Sequence, residues 1–154
     1  MMIKVVINLV VALLLLSFFT GCTPNNIKEN EDASSTDLLT LREEADVAYQ
    51  NDDLETSEKH YTILVKEIPE EALHWYRLAN IYVRTNRPYP AINLYREAVL
   101  RDPKFSSAWY NMGIVQLKQT AFSLNEMLIY TDKNDPLYGK AANMLEKIQA
   151  IIKE

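Results

Sequence analysis

Beyond residue 37 the chain falls onto itself when shifted by 34 positions. Leu41, Trp75 and Trp109 align, as do Ala45, Ala79 and Gly113, and then Val47, Ile81 and Val115. Tyr61 meets Tyr95, Pro69 meets Pro103, and Ser57 meets Ala91. Aromatics fall on aromatics, small residues on small residues and prolines on prolines, a sorting by size that isolated coincidences do not produce. A period of this length means units that cannot bury an apolar face alone and gain stability by stacking on their neighbours.

Each unit reads as two helices. In the second unit Trp75, Leu78, Ala79 and Tyr82 recur three and four residues apart and mark one buried face. Asn86-Arg87-Pro88 interrupts the pattern, and Pro88 suits the first turn of a following helix. Ile92, Tyr95, Ala98 and Val99 give a second apolar stripe, which Asp102-Pro103 ends because the residue before a proline avoids the α region. The first unit has the same plan, and Thr40 with Glu43 and Asp52 with Glu55 predict capping boxes. Beyond the repeats, Asp135-Pro136 predicts one more helix, with Leu137, Ala141, Met144, Leu145, Ile148 and Ile151 on its apolar face.

In its second unit the chain resembles the tetratricopeptide repeat. Trp75, Leu78, Ala79, Tyr82, Ala91, Tyr95, Ala98 and Pro103 fill that family's W-L-G-Y-A-F-A-P signature with ordinary substitutions. The resemblance extends to the first unit through Leu41, Ala45, Ser57, Tyr61 and Pro69, while Glu44 and Ala48 depart from it. The third unit keeps Trp109, Met112 and Gly113, but its second helix carries Asn125 and Asp132 at usually small places, so that helix is expected to be displaced or irregular. The implied fold is an all-α solenoid of about three helix-turn-helix units (38–71, 72–105 and 106–132), closed by a cap helix over 136–152. A dimerisation helix is the alternative for that last segment.

The N-terminus reads as an address. Met1 to Lys4 carry one positive charge, and Val5 to Phe19 is apolar apart from Asn8 and Ser17. As a helix this run spans about 22 Å, short of the ~30 Å hydrocarbon core but right for the apolar region of a signal peptide. Phe19-Thr20-Gly21-Cys22 then resembles a bacterial lipobox, with Phe19 where leucine is usual. The resemblance implies a signal peptide over 1–21 and acyl chains on Cys22. An uncleaved anchor with an inert Cys22 is the alternative. Several acyl chains make a durable anchor. Thr23 after the cysteine, rather than Asp, implies an outer-membrane lipoprotein facing the periplasm in a Gram-negative host. Thr23 to Thr36 is mostly polar and is expected to be a flexible tether.

Charge and composition narrow the functions. With 16 Lys+Arg against 21 Asp+Glu, the net charge of −5 lacks the basic footprint of a nucleic-acid binder. One cysteine excludes an intramolecular disulfide, and two histidines with one cysteine do not suit a metal centre rich in imidazole and thiolate. His60 and His74 lie at different registers of the repeat, outside any acid–base or nucleophile motif, and no phosphate loop is present. The expectation is therefore a binding protein and not an enzyme, with no cofactor beyond the lipid and no small-molecule substrate.

In the tetratricopeptide family the first helix of each unit lines a concave groove. Carried onto this sequence, the first unit offers Arg42, Asp46, Tyr49 and Gln50, and the second Tyr76, Asn80, Val83 and Arg84. The third offers Tyr110, Ile114, Leu117 and Lys118. Arg42 and Asn80 fall where some members clamp a C-terminal carboxylate, but Asp46, Tyr110 and Ile114 break that clamp. Three tyrosines with rigid rings and polar tips suit an extended segment or partner helix. The signal, the tether, the run from Leu41 to Gln119 and the Asn134-Asp135-Pro136-Leu137 start of the last helix resemble lipoproteins of tight-adherence (Flp) pilus assembly. That resemblance implies an envelope adaptor whose partner is a pilus component or its secretin. Type IV pilus pilotins are related but usually carry more repeats. The alternative function is structural, a protein that self-associates through its repeats and cap helix.

Overall fold

The computed structural model describes residues 28–153, with side chains from residue 37 onward. The described residues form six α-helices and no strand: α1 Lys28–Gln50, α2 Leu54–Glu67, α3 Ala72–Arg84, α4 Pro88–Arg101, α5 Ser106–Tyr130 and α6 Tyr138–Lys153. The expected signal segment, Cys22 and the start of the expected tether lie outside the described residues. The chain divides into two units, Met1–Ser35 and Thr36–Glu154. The packing below is that of the second.

The all-α class holds, but several local expectations give way. α1 begins at Lys28, so residues 28–36 are helical instead of a loose tether, and Thr40 lies inside a helix instead of capping one. That stretch has no Gly or Pro, and extending an existing helix needs no new nucleus. The cap of α2 is one residue later than expected: Asp53, not Asp52, accepts from the Thr56 amide at 3.1 Å. Asp52 is needed in the turn itself, where its φ is 63°.

That turn recurs. The other described non-glycine residue with positive φ is Asn86, at 57° and 34 positions on, in the α3–α4 turn. Asn and Asp tolerate this left-handed conformation better than other L-residues. The next equivalent position is Thr120, whose β-branched side chain does not, and Phe122 stands where Pro88 would be. No turn forms there. α5 runs unbroken for 25 residues, and Thr120 and Ser123 donate to the Gln116 and Gln119 carbonyls at 2.9 and 3.1 Å within it. The third unit is thus one long helix, not the helix-turn-helix expected over 106–132.

Other contacts repeat at the same interval. Trp75 Nε1 donates to the Pro69 carbonyl at 2.8 Å, and Trp109 Nε1 to the Pro103 carbonyl at 3.1 Å. The Tyr61 hydroxyl donates to Asp46, and the Tyr95 hydroxyl to Asn80. Ala45, Tyr61, Leu64, Leu78 and Ile81 join α1, α2 and α3 in one core cluster. Ala79, Ala91, Tyr95, Ala98, Ala108 and Met112 join α3, α4 and α5 in a second. Trp75, Tyr82 and Leu94 pack against both clusters and make them continuous. Ala79 and Ala91 are fully buried, which lets α3 and α4 pack closely.

α6 packs along α5. It starts after Pro136, which lies in the preceding turn, where Asp135 accepts from the Leu137 amide at 2.7 Å. Its apolar face is only partly covered. Ala141 and Ile148 are buried, but Leu137, Met144 and Ile151, seven residues apart, are half exposed or more. One neighbouring helix shields a narrow stripe, and these three stand at its edge.

Candidate functional site

The first half of α5 and the face of α3 beside it carry most of the residues that the sequence nominates. With the end of α1 and the end of α6 they enclose an open hollow of about 340 Å³. Tyr49, Asn80, Val83, Arg84, Tyr110, Ile114 and Lys118 all line it. Tyr76 lies in an adjoining hollow that shares Tyr110 and Asn111. Arg42 is elsewhere: it pairs with Glu71 at 3.6 Å, outside both linings. Cys22 lies outside the described residues.

The floor is a hydrogen-bonded network of tyrosines and asparagines. Asn80 Nδ2 donates to the Tyr49 hydroxyl at 3.2 Å. Asn80 Oδ1 accepts from the buried Tyr95 hydroxyl and from Asn111 Nδ2, the latter at 3.0 Å. Asn111 Nδ2 also reaches the Tyr76 hydroxyl at 3.2 Å. Burial raises the Tyr95 pKa above its ordinary 10.0, so the phenol stays a donor. An asparagine amide has two donor hydrogens and two acceptor lone pairs. Asn80 has spent both lone pairs and one hydrogen within the fold. With one hydrogen left, it cannot both donate to and accept from a bound peptide, and its first role is to hold the groove together.

Tyr49 is equally committed. The Arg77 guanidinium lies 4.4 Å from its ring centroid and that of Arg84 5.5 Å, and its ring meets Tyr61 edge-on. Arg84 also pairs with Asp52. Asp46, at a groove-lining place in the repeat, instead accepts the Tyr61 hydroxyl. The Tyr76 ring packs on Phe105 at 4.7 Å and on Tyr95 at 6.0 Å.

What remains available is the opposite wall. Tyr110 is 68% exposed, and Ile114 and Lys118 follow at four-residue spacing on the same face of α5. Lys118 makes no ion pair among the described residues. Among the described residues two cations and no carboxylate line the hollow, on a chain of net charge −5. The site is thus a basic and apolar recess in an acidic protein. Sequence reasoning missed Tyr95, Asn111, Val115, Ile151 and Ile152 as lining residues. The adjacent Ile151-Ile152 pair was a usable signal, since two neighbouring isoleucines cannot both point into one helix seam.

Neither histidine joins the recess. His74 is 1% exposed, and His60 sits 3.8 Å from Glu44 between α1 and α2. Among the described residues no group of three or more His, Cys, Asp or Glu side chains could hold a metal ion, and no helix is long and apolar enough to cross a membrane. No family model matches the chain, and no curated protein matches it.

Proposed function

We propose that the protein is a lipid-anchored adaptor of the cell envelope, built from tetratricopeptide-like units and tethered through Cys22, which holds a protein segment in the recess between α3 and α5. The observation that carries this reading is the wall of Tyr110, Ile114 and Lys118, an exposed aromatic, an aliphatic and a cation at one helical spacing over a rigid polar floor. Such a wall offers contact area without further ordering, because the network beneath already fixes its backbone. The Arg84 and Lys118 cations beside Ile114 and Ile151 favour a segment that brings apolar side chains and a carboxylate of its own. The lipobox-like Phe19-Thr20-Gly21-Cys22 supports a membrane anchor, and the resemblance to tight-adherence pilus lipoproteins makes a secretin or pilus subunit the partner to look for.

The test is crosslinking capture from native membranes, wild type against a Tyr110→Ala/Ile114→Ser double variant, with mass spectrometry of what is lost. The expected result is loss of one envelope assembly component, with helical content and melting near wild type. If the double variant captures the same proteins in the same amounts, the recess is not the binding site.

A further inference from the structure

Because α5 does not turn at Thr120, its second half leaves the α3–α4 pair with an unusual surface. From Gln116 to Tyr130 no residue is buried, although Leu117, Phe122, Leu124, Met127, Leu128, Ile129 and Tyr130 lie there and Lys118 and Glu126 are the only charges. Leu117, Ala121, Leu124 and Leu128 form one half-buried stripe, and α6 is the helix packed along α5. Phe122 and Ile129 lie roughly 120° around the helix from that stripe, at 3.6 residues per turn. They are 63% and 62% exposed. Their stripe runs into a notch of about 670 Å³, walled by Pro88, Tyr89 and Val83 and floored by Val115 and Phe122. This notch adjoins the start of α4, where a second helix of the third unit would begin had the chain turned.

We propose that a second copy of this chain covers the stripe, with the two α5 helices antiparallel about a two-fold axis at Phe122. The stripe is complementary to itself in that register. Phe122 meets its own counterpart, Gln119 meets Asn125, Lys118 meets Glu126, and Ile129 enters the notch over Val115. These residues all lie within about 60° of Phe122 around the helix. Lys118 and Glu126 have no ion-pair partner among the described residues, and eight positions apart they are separated by about 12 Å along one helix, too far to pair within it. A two-fold axis turns them into two opposite-charge pairs flanking an apolar centre, the self-complementary arrangement that such an interface requires. The apolar contact supplies affinity, and the charges set direction and register. This interface is separate from the cap helix and goes beyond the adaptor reading, and it shares Lys118 with the rim of the recess.

The test is sedimentation of the full chain in density-matched detergent over a concentration series, with circular dichroism as a check on folding. The expected result is the mass of two chains at roughly 100 μM, and of one chain for Phe122→Asp with unchanged helical signal. Lys118→Glu and Glu126→Lys should each weaken the dimer about tenfold or more, and the double reversal should restore it. A chain that is monomeric throughout overturns the proposal. So does a dimer indifferent to Phe122→Asp, or one that the double reversal does not restore relative to the single variants.

Discussion

Asn80 on α3 donates to the hydroxyl of Tyr49 on α1 at 3.2 Å, and this bond begins a chain of side-chain contacts that ends on α5. The amide joins four helices, because its oxygen also receives the Tyr95 hydroxyl from α4. Removing it leaves a buried phenol without an acceptor. Asn80→Ala is expected to cost about 1–3 kcal/mol in urea unfolding, and Tyr95→Phe about 1 kcal/mol. The double variant should cost less than the sum, since the bond is lost only once. Additive losses would show that the two groups are not coupled.

Trp75 and Trp109 make the same hydrogen bond to a proline carbonyl, 34 residues apart, in different surroundings. Trp75 packs between the two core clusters with Arg101 4.4 Å from its ring centroid, whereas Trp109 is 49% exposed. Trp75→Ala is expected to cost about 3–5 kcal/mol, a large share of the stability of a domain this size. Trp109→Ala should cost clearly less, as only part of its ring leaves water. Chemical denaturation of the two variants side by side checks the order, and equal losses would mean that stacking between clusters adds nothing at Trp75.

What could be read in advance followed the strength of the physical signal. Trp75, Leu78, Ala79 and Tyr82 mark a buried helix face so regularly that the helices and their cores were legible. Pro88 and Asp102-Pro103 marked where α4 starts and stops. The fused third unit was half legible: Asn125 and Asp132 showed that something departs, but the cause lies at Thr120 and Phe122, where the turn residues are missing. The start of α1 was not legible, because residues 28–36 have too few apolar side chains to show a period and yet extend a helix at little cost. In the hollow, positions carried over from the tetratricopeptide resemblance named Tyr49, Asn80 and Tyr110 among its lining. They could not show that Asn80 is used up by the fold, which depends on Asn111, a residue from a different place in the repeat.

His74 makes stability depend on pH. It is buried beside the Tyr61 ring, and neither ring nitrogen has a hydrogen-bond partner among the described residues. Burial, and then the charge of Arg42, lower its pKa below the ordinary 6.5, with Glu71 and Asp46 opposing. Below pH 6.5 the unfolded chain therefore takes up a proton that the folded chain refuses, and stability falls as pH drops toward the folded pKa. The expected slope from this group is at most about 1.4 kcal/mol per pH unit. Urea unfolding between neutral and mildly acid pH should show it in the wild type and show it diminished in His74→Leu. A variant with an unchanged slope would mean that other groups carry the acid sensitivity.

The turn at Asn86 shows why the third unit lost its own. Asn86 holds φ at 57°, and the Arg87 that follows forms a two-pronged pair with Glu58 and lies 4.0 Å over the Tyr82 ring, so neighbouring contacts lock the turn in place. A β-branched residue in that conformation costs about 1–2 kcal/mol, whereas glycine adopts it freely. Asn86→Thr, which copies the residue at position 120, is expected to destabilise by that amount. Asn86→Gly should stay within a few tenths of a kcal/mol of wild type, its φ preference offset by greater freedom in the unfolded chain. Equilibrium unfolding of both variants decides the matter. If Asn86→Thr were as stable as Asn86→Gly, backbone strain at this position would not explain the unbroken α5, and the cause would have to lie in the loss of proline at position 122.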